Sequence, residues 1–428
     1  MKKETKGFTK AELSWMLYDL TTNGYATIIL AAIFPIYLSS VMGHNTLGLQ
    51  LKGYGSAFVM LISAISCPIL GVIGDSKGMK KKLWVSFVIA GALLTMSLAF
   101  TNTWEFLLAG YILSNIAYNS ATLFYDSFIT DIATKDRMHR VSTWGFAVGY
   151  FGGGTILLII TVILMAVMKG DPTIPVKASF ILCGLWWLGF SLPMLLNAHQ
   201  VHYNTKPMSE VLSSLGSQLL DTMKNIYADK ALFTYVVAYF FYIDGVGTVI
   251  NMATSYGTTL GLGTTSMILA LLCTQLVAVP FSILFGRLAT KRSAINMILF
   301  AIGVYIVICI IGFYMGYSVE SSGTGMEHGL AISHATILFW TMAVLVGTVQ
   351  GGIQALSRSH FGRIIPQEKS NEYFGFFNIF NRFASIIGPF LIAIITGITG
   401  QASFGILSII ILFIIGAILL MVSPKSQI

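Results

Sequence analysis

Residues 230–258 read KALFTYVVAYFFYIDGVGTVINMATSYGT. As a helix this stretch is about 43 Å long at 1.5 Å per residue, enough to cross a hydrocarbon layer of roughly 30 Å. Between its ends it carries a single ionisable acid, Asp244. A carboxylate at that depth costs roughly 2.5–3.5 kcal/mol on the insertion scale. Thr248, Asn251 and Ser255 follow Asp244 along the same helix face. Most of the surface suits lipid, and one stripe needs water or a polar partner. Two expectations follow: a membrane protein, and an aqueous interior that this helix lines.

Composition agrees along the whole chain. Of 428 residues, 55% are hydrophobic and 10% charged, whereas soluble globules carry about a quarter charged residues. A cytosolic enzyme, a secreted disulfide scaffold and a disordered tail are excluded. Twelve apolar stretches are long enough to span: 15–41, 55–75, 83–101, 104–128, 141–168, 178–197, 230–258, 265–288, 293–317, 334–357, 372–397 and 400–422. With the N-terminus inside, 21 of the 25 Lys and Arg residues fall on the inner side, three fall outside (Lys52, Lys169, Lys177) and Arg382 lies in a span. Because cytoplasmic loops retain basic residues, both termini are expected in the cytoplasm. The net charge of +8 is thus a topology signal, and no nucleic-acid partner is expected. The first apolar segment is too long for a cleavable signal peptide. Cys67, Cys183, Cys273 and Cys309 lie scattered in apolar runs and read as core residues. The histidines fall in loops or at span ends, so no metal site or buried relay is expected, and no cofactor or enzymatic chemistry is implied. A glycine-rich phosphate loop ending in Lys-Ser or Lys-Thr is absent.

The expected architecture is all-α: an N-terminal six-helix bundle over 1–197, a cytoplasmic linker over 198–229 and a C-terminal six-helix bundle over 230–428. The halves echo each other, a transporter signature. Tyr18-Asp19 in span 1 is matched by Tyr242-Ile-Asp244 in span 7. Asp126 and Asp131 at the end of span 4 are matched in spacing, with opposite charge, by Arg358 and Arg363 at the end of span 10. Gly71-x3-Asp75 is matched by Gly286-x3-Thr290.

Polar stripes recur on selected spans. Span 4 carries Asn115, Asn119, Thr122 and Asp126; span 10 carries Gln350, Gln354 and Arg358; span 11 carries Asn378, Arg382 and Ser385; span 1 carries Asp19, Asn23 and Thr27. Burying Asp19, Asp126, Asp244 and Arg382 together would cost on the order of 10 kcal/mol without compensation. A shared aqueous cavity compensates; the alternative is that these side chains only bind helices to one another. Arg382 and Asp244 lie about 15 and 21 Å deep by helix rise. Arg382 is expected to bind an anionic group or to pair with Asp244, unless the two form a permanent structural pair. Asn23, Asn115, Asn119, Gln350, Gln354 and Asn378 complete the expected substrate site. Asp244 is the first candidate proton carrier and Asp19 the second. Asp126, Asp131, Arg358 and Arg363, with Asp75, suggest a gate of ion pairs, or simply caps at the inner surface. Gly145, Gly149 and Gly152-Gly153-Gly154 in span 5 allow close helix approach.

These residues resemble the major facilitator superfamily, in the branch that includes the fungal vacuole effluxers of autophagy. The resemblance rests on Ser14-Trp15-Met-Leu-Tyr18-Asp19 with Phe34-Pro35-Ile-Tyr37, on Phe124-Tyr125-Asp126-Ser-Phe-Ile-Thr-Asp131-Ile-Ala133, on Tyr242-Ile-Asp244-Gly245, and on Gly351-Gly352-Ile-Gln354-Ala-Leu-Ser357-Arg358-Ser359. The superfamily's loop between spans 2 and 3 is similar to Gly71–Lys82, with Ser76 and Met79 where basic residues are usual. The resemblance implies two six-helix bundles rocking about one central site, and amino acids as the nearest substrate class. The arginine of sugar and drug carriers is missing from span 4, where Tyr118 and Asn119 stand. The glycine-rich span 5 is similar to the antiporter motif and leans towards export. The leading expectation is therefore a proton-coupled secondary carrier of small solutes, acting as a monomer in a bacterial inner membrane. A translocase for a lipid or other amphiphile, and a non-transporting receptor or scaffold, are the alternatives.

Overall fold

The computed structural model describes residues 7–42, 46–168, 173–323, 325–383 and 386–423, and their side chains except those of Ile36, Ser39, 46–50, Thr264, Thr265, Ile268 and 381–383. Among the described residues the fold is helical throughout, relieved only by an isolated parallel bridge between Ser76 and Asn204. Among the described residues, most of each stretch read as a span is helical. Nine are long and apolar enough to cross a membrane among the described residues: Leu51–Gly74, Met79–Phe100, Met138–Val167, Thr173–Asn197, Lys230–Thr259, Leu269–Ala289, Ala294–Ser321, Met326–Ile364 and Ala402–Val422. The other three are the polar-striped spans 1, 4 and 11. Span 4 is one helix, Trp104–Ser127. In span 11 the described helices are Ser370–Phe383 and Ile387–Thr399, and residues 384 and 385 between them lie outside the described residues.

By contacts the chain forms two compact units, Met1–Thr222 with Phe361–Asn378, and Met223–His360 with Ile379–Ile428. The first thus takes in a segment from the C-terminal half of the sequence.

In the first unit, helix Lys10–Tyr25 starts with a capping box: Thr9 Oγ1 accepts from Glu12 N–H and Glu12 accepts from Thr9 N–H. The Glu12 carboxylate also receives Arg137 in a two-pronged pair at 2.6 and 2.7 Å, tying the start of span 1 to the start of span 5. Both spans then pass through a seven-residue stretch of π-helix, Ala26–Ala32 and Tyr150–Ile156. The glycines of span 5 explain how close these helices run. A Cβ on Gly145 would strike the Asp19 carboxylate, on Gly149 the Asn23 amide, and on Gly153 the carbonyl oxygen of Leu20. The aromatic core Trp15, Tyr18, Tyr125 and Trp84 knits spans 1, 3 and 4, and Tyr25, Tyr118 and Trp187 extend it to span 6.

In the second unit, helix Lys230–Thr259 packs along Ile410–Val422. Gly245 receives the ring of Phe413 and Gly416 lies against Tyr242. Tyr235 and Tyr242 donate to the backbone and hydroxyl oxygens of Ser357 at 2.9 and 2.6 Å. Tyr235 and Tyr242 of span 7 therefore join helices, as buried Tyr usually does once its hydroxyl has a partner.

Candidate functional site

In the first unit, polar groups concentrate where helix Thr46–Gly74 ends. Asp75, 3% exposed, turns back onto the start of helix Ser370–Phe383. Its Oδ1 accepts from the N–H of Asn371 at 3.0 Å and from Asn371 Nδ2 at 2.8 Å; its Oδ2 accepts from Glu372 N–H at 3.0 Å. A carboxylate there satisfies the orphan amides of a helix N-terminus and sits at the positive end of its dipole. The approach requires glycine: a Cβ on Gly71 would meet the Asn371 carbonyl and Glu372 Cα, and one on Gly375 the Cys67 carbonyl. Ser127 Oγ bonds Asn371 Oδ1.

Beside Asp75 lies Lys80, fully buried. Its Nζ is 2.6 Å from Asp131 Oδ2 and 3.1 Å from Ser370 Oγ. Asp131 also accepts from Val201 and His202 N–H at 3.0 and 2.8 Å. Burial pushes the Asp131 carboxyl up, but the Lys80 charge and the His202 donors hold it below the ordinary carboxylate range. The 198–204 stretch is bound in further: Asn204 N–H donates to the Asp75 carbonyl at 2.6 Å, and Gln200 Nε2 to that of Gly74 at 3.0 Å.

Burial also pushes Asp75 up, to about 7, against the opposing Lys80 charge and the amides of Asn371 and Glu372. A carboxyl raised in one arrangement takes up a proton as that arrangement forms. The contact is therefore strongest below the pKa of the free carboxyl and weakens as pH rises through about 7. Amide exchange at Asn371 and Glu372, corrected for its intrinsic pH dependence, should speed up between about pH 6 and 8 in the wild type and lose that step in Asp75→Asn. Protection that grows with pH would show the sign to be wrong.

In the second unit, Asp244 is buried at mid-helix, and its carboxylate accepts from Gly388 N–H at 3.0 and 3.2 Å and from Thr248 Oγ1 at 3.3 Å. Gly388 is in the first turn of Ile387–Thr399, so Asp244 too occupies a helix N-terminus.

With this geometry in place, comparison with known proteins is specific. The family described as vacuole effluxer Atg22 like matches residues 51–427. The chain belongs to that Atg22-like family. It is 40% identical to the MFS-type transporter YxiO of Bacillus subtilis (strain 168), over 98% of this chain and 96% of that one. It is 22% identical to autophagy-related protein 22 of Vanderwaltozyma polyspora, over 96% of this chain and 89% of that one. Among solved structures, the proton:xylose symporter XylE aligns with a TM-score of 0.69 at 14% identity, covering 98% of this chain and 96% of that one. The human organic anion transporter MFSD10 aligns with a TM-score of 0.69 at 13% identity, covering 96% and 99%. The Atg22-like chain has the major facilitator fold and is a multi-pass membrane transporter of that superfamily.

The remaining expected residues of the Atg22-like chain divide by environment. Asp19 is buried and accepts from Thr22 Oγ1 at 3.2 Å; Asn23 donates to the Asp19 carbonyl at 3.1 Å. Asn115 and Gln350 are buried, and Gln354 and Asp126 half-buried. Asn119 donates to Ser63 Oγ at 3.1 Å, a helix-joining bond, with its Oδ1 unpartnered among the described residues. Asn378 is buried, its Nδ2 likewise unpartnered among them. Arg358 is buried. Arg363 Nη1 lies 2.7 Å from His139 Nε2, and Asp131 meets Lys80. The Arg382 and Ser385 side chains, and with them the expected Arg382–Asp244 pairing, lie outside the described residues. Sequence reasoning missed Lys80, Ser370, Asn371, Gly388 and His139. Ser370-Asn371-Glu372 ahead of an apolar run is a helix-start signal that could have marked the second component of the Asp75 cluster.

Proposed function

We propose that this transporter is a secondary active carrier working by alternating access, exporting amino acids or similar small anionic or zwitterionic metabolites in exchange for protons, in a bacterial cytoplasmic membrane. The observation that carries the reading is Asp244: an ionisable group at membrane depth, held at the start of helix Ile387–Thr399 by Gly388 N–H. Such a group is a functional candidate by default, since an apolar residue would pack there without desolvation cost. Protonation of Asp244 removes the charge that faces the helix end, which gives a proton a means of acting on that helix. Exposed Asn251 and Ser255, further along the same helix, support a wet face there. The effluxer description of the family supports the direction, and the Asp75–Asn371 cluster supplies a lock that has to part when that side opens.

The test is counterflow and pH-gradient-driven flux of labelled amino acids in proteoliposomes. Asp244→Asn should abolish the response to a pH gradient while leaving counterflow measurable, and Arg382→Ala should lower both by about tenfold or more, the loss of one charge-assisted contact. Unchanged flux and unchanged pH response in both variants would remove these two residues from the site.

A second reading, translocation of a lipid or other amphiphile, is favoured by one feature: an apolar pocket lined by Val249, Met252, Tyr256, Ile308, Met342 and Ile406. It would suit a hydrocarbon group. Transfer of a labelled lipid between leaflets, without amino-acid flux, would select this reading.

A further inference from the structure

Immediately before span 7 lies a 14-residue helix, Leu215–Ala228. One side is covered: Thr222 and Ile226 are buried. A second strip is apolar yet open, with Leu220 58%, Met223 54% and Tyr227 72% exposed. At 100° per residue these three fall within about 60° of each other. Lys224 borders the strip, and Asp221 and Asn225 lie on the polar flank beyond it. An apolar strip edged by a lysine on a water-facing helix is poorly suited to bulk solvent and well suited to the boundary between headgroups and acyl chains.

The surroundings say which surface covers it. Asp229 alone separates this helix from Lys230–Thr259, and its carboxylate caps the latter by accepting from Ala231 and Leu232 N–H at 3.0 Å. The strip thus begins where a membrane-spanning helix enters the bilayer. It is also continuous with that helix: the Tyr227 ring packs edge-on against Phe233, centroids 5.2 Å apart, and Phe233 is itself part of the exposed surface of the span. Tyrosine at the end of such a strip is at the depth where its ring is buried and its hydroxyl hydrated.

We propose that helix Leu215–Ala228 is a membrane-surface element, lying in the leaflet where span 7 begins, with Leu220, Met223 and Tyr227 inserted among the lipids and Lys224 at the level of the phosphates. The linker is then tied to the bilayer and cannot swing freely when the transporter changes state.

Single cysteines at Leu220, Met223 and Asn225, in a Cys273→Ala background so that the partly exposed native thiol does not compete, carry an environment-sensitive fluorophore in the full-length protein reconstituted in phosphatidylglycerol/phosphatidylethanolamine nanodiscs. Labels at 220 and 223 should emit to the blue of the label at 225 and be quenched by lipid-borne bromine, with the label at 225 quenched by an aqueous nickel chelate. Aqueous quenching at 220 and 223 equal to that at 225 overturns the proposal. So does shielding of 220 and 223 from both quenchers, which would mean that a protein surface, such as a second copy, covers the strip. Introducing Leu220→Asp with Met223→Asp should return a label at Tyr227 to aqueous quenching without changing the monodispersity of the detergent-solubilised protein.

Discussion

Lys80→Ala destabilises the first unit by about 3–5 kcal/mol, the range for removing one partner of a buried ion pair. The Lys80 and Asp131 side chains are wholly buried, 2.6 Å apart, and Lys80 also donates to Ser370. After its removal Asp131 keeps the Val201 and His202 donors but has lost its nearest cation, and Asp75 loses the charge that offsets its burial. The cost is chiefly that of leaving buried negative charge uncompensated. Lys80→Met combined with Asp131→Asn should therefore recover most of the loss, because replacing both members of a buried pair is often near neutral. Lys82→Ala, at an exposed neighbour, should change little. Thermal melting of the four proteins in detergent decides the matter: equal melting temperatures for Lys80→Ala and Lys82→Ala would mean the pair contributes nothing. The same variant should speed amide exchange at Ser370 and Asn371, since the lock loses one of its anchors.

Gly153→Leu should cost about 3 kcal/mol, the upper end of overpacking costs. Its Cβ would meet the Leu20 carbonyl oxygen and the Gly24 amide nitrogen, both main-chain atoms of span 1 that cannot rotate away. Span 1 would have to withdraw from span 5, giving up the bond from Trp186 Nε1 to the Leu20 carbonyl at 3.1 Å. Gly189→Leu is the control, since a Cβ there meets nothing within 4 Å. Melting of Gly153→Leu within a degree or two of that control, with normal yield, would show that the close approach is not required.

How much of this was readable in advance differs by feature. The spans were legible because hydropathy summed over some 20 residues outweighs any local propensity. Asp244 was legible because a lone acid inside such a run has few harmless explanations. The glycines of span 5 announced a close approach, though not which side chains would face them; Asp19 and Asn23 do. The π-helical stretch at Ala26–Ala32 had no signal in ATIILAA. Lys80 could not be told from Lys77, Lys81 and Lys82, for charge and neighbourhood in sequence are alike, and only the approach of residues 370–372 singles it out. Opposite charges at matched spacing in the two halves suggested acid–arginine pairs, and that spacing held no sign that Asp131 also meets Lys80, at the start of Met79–Ser97.

The amino-acid sequence alone determined that this chain lives in a bilayer, where its helices lie and that Asp19 and Asp244 are buried among them, because each of these follows from the free energy of placing a short run of side chains in hydrocarbon. The tertiary structure decided what those residues hold: Asp75 the start of helix Ser370–Phe383, Asp244 that of Ile387–Thr399. Their partners are 296 and 144 residues away in the chain, and a helix N-terminus attracts any nearby carboxylate through main-chain amides that every residue type except proline supplies, so a helix-start signal marks a possible partner without recording which carboxylate it meets.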